Sequence, residues 1–552
     1  MLNYKTEGYY VKKRRTALVL ILCLVMASLA GCGKSAAQDD IKVEGPKSEE
    51  EKMKKYDPEI TLTFAKAEVV TNYPEGQDAQ KNDMYKMWED IMGIKVENSI
   101  LCASNAMTEK FQLAIASDEI PDFGIVDAAT LASLIKNDMV MDMTDIYDQW
   151  ATDNLKAIAG QQDNALFAPT LKDGRYMAIP VANTVGDSYP ILWIRSDWLD
   201  ALGLKAPSTM EEVFAIAEKF AADDPDGNGK DDTYGLYLDK DLNGLDFIMA
   251  AYEVYSKDEY WVKQEDGSFI AGCTDPDAKK PLGALAKLYE AGAIDHEFAV
   301  KEQSKEEELI ASGKIGIYIG YFYSPLGVMK DSVANVGADW IAVPMPAAEG
   351  YPEYKPGVNL NVYGYIYAKQ GITNPEAIVV MLNHLCDGYA APWLSDGDSE
   401  FYKKYNELAA DPAISQAGAN NLMPFQMAGN INWGKEFTEA IAAGKEHVEG
   451  KDADYQNVIS TGLSEDLSWA WKKVYLEGYL VMDLDNVRYS DYTGAPTETM
   501  SKTQSLLNTQ KLTDYISIIM GDQPVDYFDT FVETFNNIGG AKIAEEIKEE
   551  LQ

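Results

Sequence analysis

"LWIRSDWLDALGLKAPSTMEEVFAIAEKFAADDPDGNGKDDTYGL" occupies residues 192–236. Its first four residues are apolar or long and continue an apolar run, the pattern of a buried strand. "APSTMEEVFAIAEKFAA" follows, with Ser208 and Glu211 spaced as a capping box. Met210, Val213, Phe214, Ala217, Phe220 and Ala221 then recur at helical spacing. "TYGLYL" reads as the next strand. The stretch is therefore strand, helix, acidic loop, strand: one unit of an α/β fold.

The loop between that helix and that strand is "DPDGNGKDDTYG", Asp224 to Gly235. Four aspartates at such close range repel one another unless a cation joins them. Counted from Asp224, oxygens recur at alternate positions: Asp224, Asp226, Asn228, the carbonyl of Lys230, and Asp232. Gly229 stands sixth, where a calcium loop turns sharply. This is the spacing of the first nine positions of an EF-hand loop. The twelfth position is Gly235, where an EF-hand has a bidentate glutamate, so a further oxygen must come from elsewhere, with Thr233, Asp231 and water as the choices. With no histidine beside it, the site reads as structural calcium pinning the helix end to the strand; a solvated acidic turn is the plainer alternative.

Working outward, short apolar runs alternate with amphipathic segments. "EITLTFAKAEVV", "IKVENSI", "FGIVD", "PILWIR", "KIGIYIG" and "VYGYIYA" read as strands, and "QKNDMYKMWEDIMG" as a helix. At 552 residues the chain is too long for one core. Residues 1–31 carry a basic patch, Lys12 to Arg15, then the apolar "TALVLILCLVMASLA" and then small residues, which is a secretory signal. It ends in "LAGC", Leu29 to Cys32, and resembles a bacterial lipobox, in which the cysteine becomes the lipidated first residue. Residues 32–56 are polar and charged and read as a flexible tether. These features place the protein on the extracellular face of a cell membrane, held by a lipid on Cys32.

The net charge of −41 opposes nucleic-acid binding. Cys102, Cys273 and Cys386 are too few and too scattered for a zinc site or a disulfide framework, and one bridge remains open. His296, His384 and His447 show no zinc-ligand spacing, and no Walker loop, nucleophile elbow or dinucleotide fingerprint occurs. His384 reads as a satisfied histidine on an amphipathic helix.

The 192–236 stretch as a whole closely resembles a segment of the extracellular solute-binding proteins of carbohydrate ABC transporters, of the Gram-positive lipoprotein kind. The alginate-binding members share the calcium loop. "FQLAIASDEIPDFGIVDAATLASLI" (111–135), "DGRYMAIPVAN" (173–183) and "LIASGKIGIYIGYFYSP" (309–325) resemble further family segments in the same order. The resemblance implies calcium on Asp224, Asp226, Asn228, Lys230 and Asp232, with Thr233 where the family has a further acid. It implies a bilobal periplasmic-binding-protein-like fold of type II: two α/β lobes on a hinge with a ligand cleft between them. Lobe one is expected at 57–184 and 361–395, lobe two at 185–360 and 396–552. It also implies a carbohydrate ligand and ABC permease subunits as partners, with the receptor itself a monomer that does no chemistry.

A sugar cleft needs aromatic faces for stacking and planar polar groups for hydroxyls. The chain has 33 Tyr, 16 Phe and 10 Trp, so position must choose among them. "GYFYSP" offers Tyr321 at a strand end. "YPILWIR" carries Trp193, with core packing an equal reading. "AGNINWGKEF" sets Asn432 and Trp433 among small and polar residues. Asp127 follows the strand "FGIV", at the end where α/β folds place ligands. "TNYPEG" offers Asn72 and Tyr73 after the first strand. A peptide receptor with the same fold, a surface glycoside hydrolase and a receptor reporting to a sensor kinase stay open as alternatives.

Overall fold

The computed structural model describes residues 43–551, apart from 71, 104–105, 162–163, 183–184, 361, 387–398, 428–438, 442 and 447–468. Cys32, Asn432, Trp433 and His447 lie outside the described residues. Gly45–Gln552 forms a compact unit separate from Met1–Glu44, and the following concerns that unit.

Two sheets organise it. The first has five strands in the order Ile94–Ala103, Ile60–Glu68, Phe123–Val126, Val362–Ala368, Ile179–Ala182. The first three run parallel, with Phe64 opposite both Asn98 and Phe123. Val362–Ala368 runs antiparallel to its two neighbours. The second has four strands, Trp340–Val343, Ile191–Arg195, Ile315–Gly320 and Tyr234–Leu236. All of the strand readings fall on these elements, and the class is α/β.

Ile191–Arg195 is central and buried on both faces, which explains its unbroken apolar run. Leu192 and Ile194 enter one core, which the C-terminal helices Met500–Ile519, Phe528–Phe535 and Ala541–Glu550 complete. Ile191 and Trp193 enter the other, with Trp340, Met329 and Tyr479. The strand ends on buried Arg195, whose charge is met twice by Asp197 (2.7 and 2.5 Å) and by the Gly313 carbonyl (3.1 Å).

The helix after it spans Met210–Ala222, and all six apolar positions read from the periodicity are buried, joined by Ile216. Its cap is one residue later than the spacing of Ser208 and Glu211 suggests. Thr209 is the N-cap and its hydroxyl accepts from the Glu212 amide (3.2 Å). Glu212 reaches back to the Ser208 amide and hydroxyl (2.7 and 2.8 Å). Glu211 instead accepts from Tyr252 Oη (3.2 Å) and the Glu349 amide (2.8 Å), a tertiary pull that frees position 212 for the box.

Residues 399–427, which the expected division of the chain gives to lobe two, have contacts with the first sheet. Phe401 meets Trp88 edge-on, and Phe425 meets Phe64, Trp88 and Phe123 at centroid distances of 5.8, 5.0 and 5.9 Å. Buried Lys66 donates to the Met423 carbonyl at 2.7 Å. No disulfide joins Cys102, Cys273 and Cys386 to one another; the Cys386 thiol donates to Met427 Sδ at 3.7 Å. His384 is buried against the Met53 carbonyl (3.2 Å), and burial lowers its pKa to about 4.

One buried acid makes stability depend on pH. Glu306, on the helix Gln303–Ala311, is fully buried and neither carboxylate oxygen has a hydrogen-bond partner. Lys301 stands 3.9 Å away but also serves Asp295 and Glu297. Burial, and then the charge of Asp295, push the Glu306 carboxyl up to about 8. The folded state thus holds a proton that the unfolded chain gives up above its ordinary value of 4.5. Stability contributed by the neutral form is full below that value and falls as pH rises towards about 8. Glu306→Gln should exceed the parent by about 1–3 kcal/mol at pH 8. The difference should vanish near pH 5. Denaturant melts at both values check this, and a variant no more stable at the higher pH refutes it.

Candidate ligand site and acidic loop

The ends of the strands decide where a ligand can sit. Glu68 and Asp127 each lie four residues past the paired residues Phe64 and Phe123, so they are level on neighbouring parallel strands. Asp127 caps the helix Ala128–Lys136, accepting from the Thr130 amide at 2.7 Å, with its side chain exposed. Tyr73 is half-buried and donates to Glu68 at 3.1 Å; burial and then that bond push the phenol up to about 12. Asn72 is exposed beside it. Asp127, Tyr73 and Asn72 therefore share one edge of the first sheet.

On the second sheet, Tyr321 follows the strand Ile315–Gly320. It is half-buried, stacks on Tyr323 (5.3 Å, 22°) and meets Phe247 edge-on (6.1 Å). Burial raises its phenol, and the charge of Asp246 adds to this. Tyr323 keeps 41% of its surface exposed, so this stack presents a ring to solvent. Trp193 is not beside it in the open. The indole is fully buried in the core, and its Nε1 donates to the Tyr321 carbonyl at 3.0 Å. Trp193 therefore holds Tyr321 from behind, the core alternative of the sequence reading.

Three residues missed in the sequence stand close to these. Tyr255 and Tyr260 stack at 5.3 Å and 20°. The Arg488 guanidinium lies 5.9 Å over Tyr255 while pairing with Asp491 at 2.6 Å, and Tyr260 Oη donates to the Arg488 carbonyl at 2.7 Å. Desolvation raises the carboxyl of neighbouring Glu259, and the charges of Asp258 and Asp127 raise it further. Asp127 is thus near enough to Glu259 for its charge to be felt there. This neighbourhood combines aromatic rings with carboxylates.

The acidic loop joins Met210–Ala222 to Tyr234–Leu236 as expected. Asp224 takes positive φ (48°), and its carboxylate accepts from the amides of Asn228 (3.1 Å) and Gly229 (2.9 Å). Asn228 Nδ2 donates to Asp226 (2.7 Å) and Asp232 (3.1 Å), while its Oδ1 accepts from the Lys230 amide (2.8 Å). Asp232 also pairs with Lys314 at 3.2 Å. Desolvation and the charges of Asp224 and Asp232 raise the Asp226 carboxyl. Among the described residues no three His, Cys, Asp or Glu side chains converge as a metal cage, because the Asn228 amide stands between two of the carboxylates. The donors are nonetheless hard oxygens on a tight turn, the chemistry that calcium takes. Thr233 is not one of them: its buried hydroxyl donates to the Phe220 carbonyl at 2.8 Å.

Known proteins fit this architecture. A stretch of 128 residues is 39% identical to the polygalacturonan/rhamnogalacturonan-binding protein YtcQ of Bacillus subtilis, covering 23% of this chain and 25% of YtcQ. So the chain spans only a quarter of that relative in the match. Over 432 residues it is 23% identical to the fructooligosaccharide ABC transporter substrate-binding protein FusA of Streptococcus pneumoniae, covering 74% and 76% of the two chains. Among solved structures, an HMO-binding ABC-transporter-associated solute-binding protein of Bifidobacterium longum infantis superposes with TM-score 0.61 at 15% identity, over 89% of this chain and 98% of that one. Alginate-binding protein AlgQ2 without calcium ion gives 0.56 at 16% over 90% and 99%, and a FusA EF-hand mutant with fructo-nystose gives 0.55 at 16% over 89% and 98%. The sequence profile of the bacterial extracellular solute-binding proteins matches residues 83–381, more than half of the chain, and the chain belongs to that family.

Proposed function

We propose that the protein is a receptor, anchored outside the cell by a lipid on Cys32, that captures an oligosaccharide and presents it to an ABC permease. The observation that carries this is a set of rings and acids at strand ends: Asp127 and Tyr73 after strands of the first sheet, the Tyr321–Tyr323 stack after a strand of the second, and Tyr255 in the segment whose neighbour Glu259 feels the charge of Asp127. Stacked rings suit the C–H faces of sugars and carboxylates suit their hydroxyls. The names of YtcQ and FusA, both carbohydrate binders, support the same class. The two sheets would belong to two lobes closing on the ligand, lobe one comprising about 57–184 and 361–427 and lobe two 185–360 with the C-terminal helices. Binding needs only closure, and the family is one of receptors rather than catalysts. Calorimetry of the full chain against fructo-, gluco-, galacto- and mannotetraose should find a ligand that is recovered chemically unchanged. Hydrolysed product would favour the glycoside hydrolase reading, and tight binding of peptides alone would favour the peptide receptor.

Structural calcium belongs to the same proposal, held by Asp224, Asp226, Asn228, the Lys230 carbonyl and Asp232. It would supply the charge that reconciles three carboxylates and fix the turn between helix and strand. The similarity to a FusA EF-hand mutant and to AlgQ2 without calcium ion, both described by reference to such a site, supports this. With calcium at millimolar levels and a dissociation constant about tenfold lower, removal costs about 1–2 kcal/mol. EDTA should therefore lower Tm by about 1–3 °C in a chain of this size. Asp226→Asn should abolish the EDTA effect. A Tm indifferent to EDTA in the parent refutes a bound ion.

A further inference from the structure

Resting on the receptor reading above, we infer that the ligand is an uncharged oligosaccharide and that the site rejects uronic-acid chains. The argument is the charge balance where the two sheet edges meet. Glu68, Asp127 and Glu259 have no ion pair among the described residues: Glu68 accepts from the Tyr73 hydroxyl and Asp127 from the Thr130 amide. Two nearby cations are already committed. Arg488 is held by Asp491 at 2.6 Å and by the Tyr489 carbonyl at 2.6 Å. Lys511 is held by Asp258 at 2.5 Å and by the Ser256 carbonyl at 3.1 Å. Burial lowers the Lys257 ammonium and the charge of Asp246 acts against this; Asp246 itself accepts from the Ser256 hydroxyl at 2.6 Å.

A chain of uronates brings one negative charge per ring into that field. The guanidinium that would fork onto its carboxylates is bound to a carboxylate of the protein. Breaking the Arg488–Asp491 pair to serve the ligand would leave Asp491 as one more uncompensated acid. A neutral chain meets no such penalty. Its hydroxyls donate to Asp127, Glu68 and Glu259, and its ring faces lie on the exposed Tyr323 ring and on Tyr255, which buried Tyr260 backs. The carboxylates that repel a uronate are the acceptors a neutral sugar uses. This separates the chain from a polygalacturonan binder, although 128 of its residues are 39% identical to one.

Calorimetry on the full chain at pH 7 in EDTA distinguishes the cases, with the four neutral tetraoses above set against tetragalacturonate and an alginate tetramer. The expected tightest ligand is neutral, with each uronic tetramer at least about tenfold weaker; a gap of electrostatic origin narrows in 1 M salt. A uronic tetramer binding as tightly as any neutral one overturns the inference and leaves the oligosaccharide receptor standing. If no sugar binds at all, the receptor reading falls and this inference with it. The double variant Asp127→Asn/Glu259→Gln keeps an N-cap at 127 and removes two charges. It should improve uronic binding relative to neutral by at least about threefold, and an unchanged ratio overturns the assignment to these two acids.

Discussion

Gly235→Ala is expected to destabilise the protein by about 3 kcal/mol, at the upper end of the range for overpacking a rigid site. A Cβ at Gly235 would lie 2.0 Å from the carbonyl oxygen of Ala217 and 2.4 Å from its carbonyl carbon. Those are main-chain atoms inside the helix Met210–Ala222, and they cannot swing aside as a side chain would. Nor can the strand retreat, because the amides of Gly235 and Leu236 both donate to the Ala293 carbonyl (2.9 and 3.0 Å). This close approach also explains the departure from the EF-hand pattern at position twelve. A glutamate there has no room, so any ion in the loop must complete its shell with other oxygens. Gly229→Ala is the control: its Cβ meets nothing within 4 Å, but its φ of 75° is left-handed. It should cost about 1 kcal/mol. Urea unfolding of the two variants compares them directly. A Gly235→Ala protein as stable as the parent would mean that helix and strand are further apart than they stand here.

Much of this architecture is legible in residue order, and the failures have identifiable causes. Every strand proposed from an apolar run is a strand, because such runs need only local pattern and burial. The capping box shifted by one residue because Ser208 and Thr209 can both cap and Glu211 and Glu212 can both close the box. The choice was made by Tyr252 and Glu349, which occupy Glu211 from far along the chain. The packing of residues 399–427 is not legible locally, because Phe401 and Phe425 fill the ring cluster around Trp88, more than three hundred residues earlier. The Tyr255–Tyr260 stack and Arg488 have no local signature at all: they meet across more than two hundred residues. Asp127 and Tyr321 were visible because strand ends are marked in sequence, and strand ends are where α/β folds expose side chains to ligands.

Trp193 shows where pattern stops and packing decides, and its substitution should be the other severe one. In a strand buried on both faces every residue is apolar, so alternation cannot say which ring faces a cleft. Here the indole belongs to a buried cluster that includes Trp340, Tyr237 and Tyr479, with none of its surface exposed. Trp193→Ala should therefore cost about 3–5 kcal/mol, the usual price of emptying a buried aromatic site. Trp193→Phe separates packing from hydrogen bonding. It keeps most of the ring contact but leaves the Tyr321 carbonyl without its 3.0 Å donor. That should cost about 1–2 kcal/mol in stability. Because Tyr321 begins the turn that carries Tyr323, the lost donor should also weaken sugar binding severalfold while the fold persists. Urea melts and calorimetry on both variants distinguish a supporting residue from a contacting one. A Trp193→Ala protein of parental stability that had lost affinity would mean that the indole stacks on the sugar directly; a collapsed Trp193→Ala beside a folded, weaker-binding Trp193→Phe is the signature of a residue that acts through Tyr321.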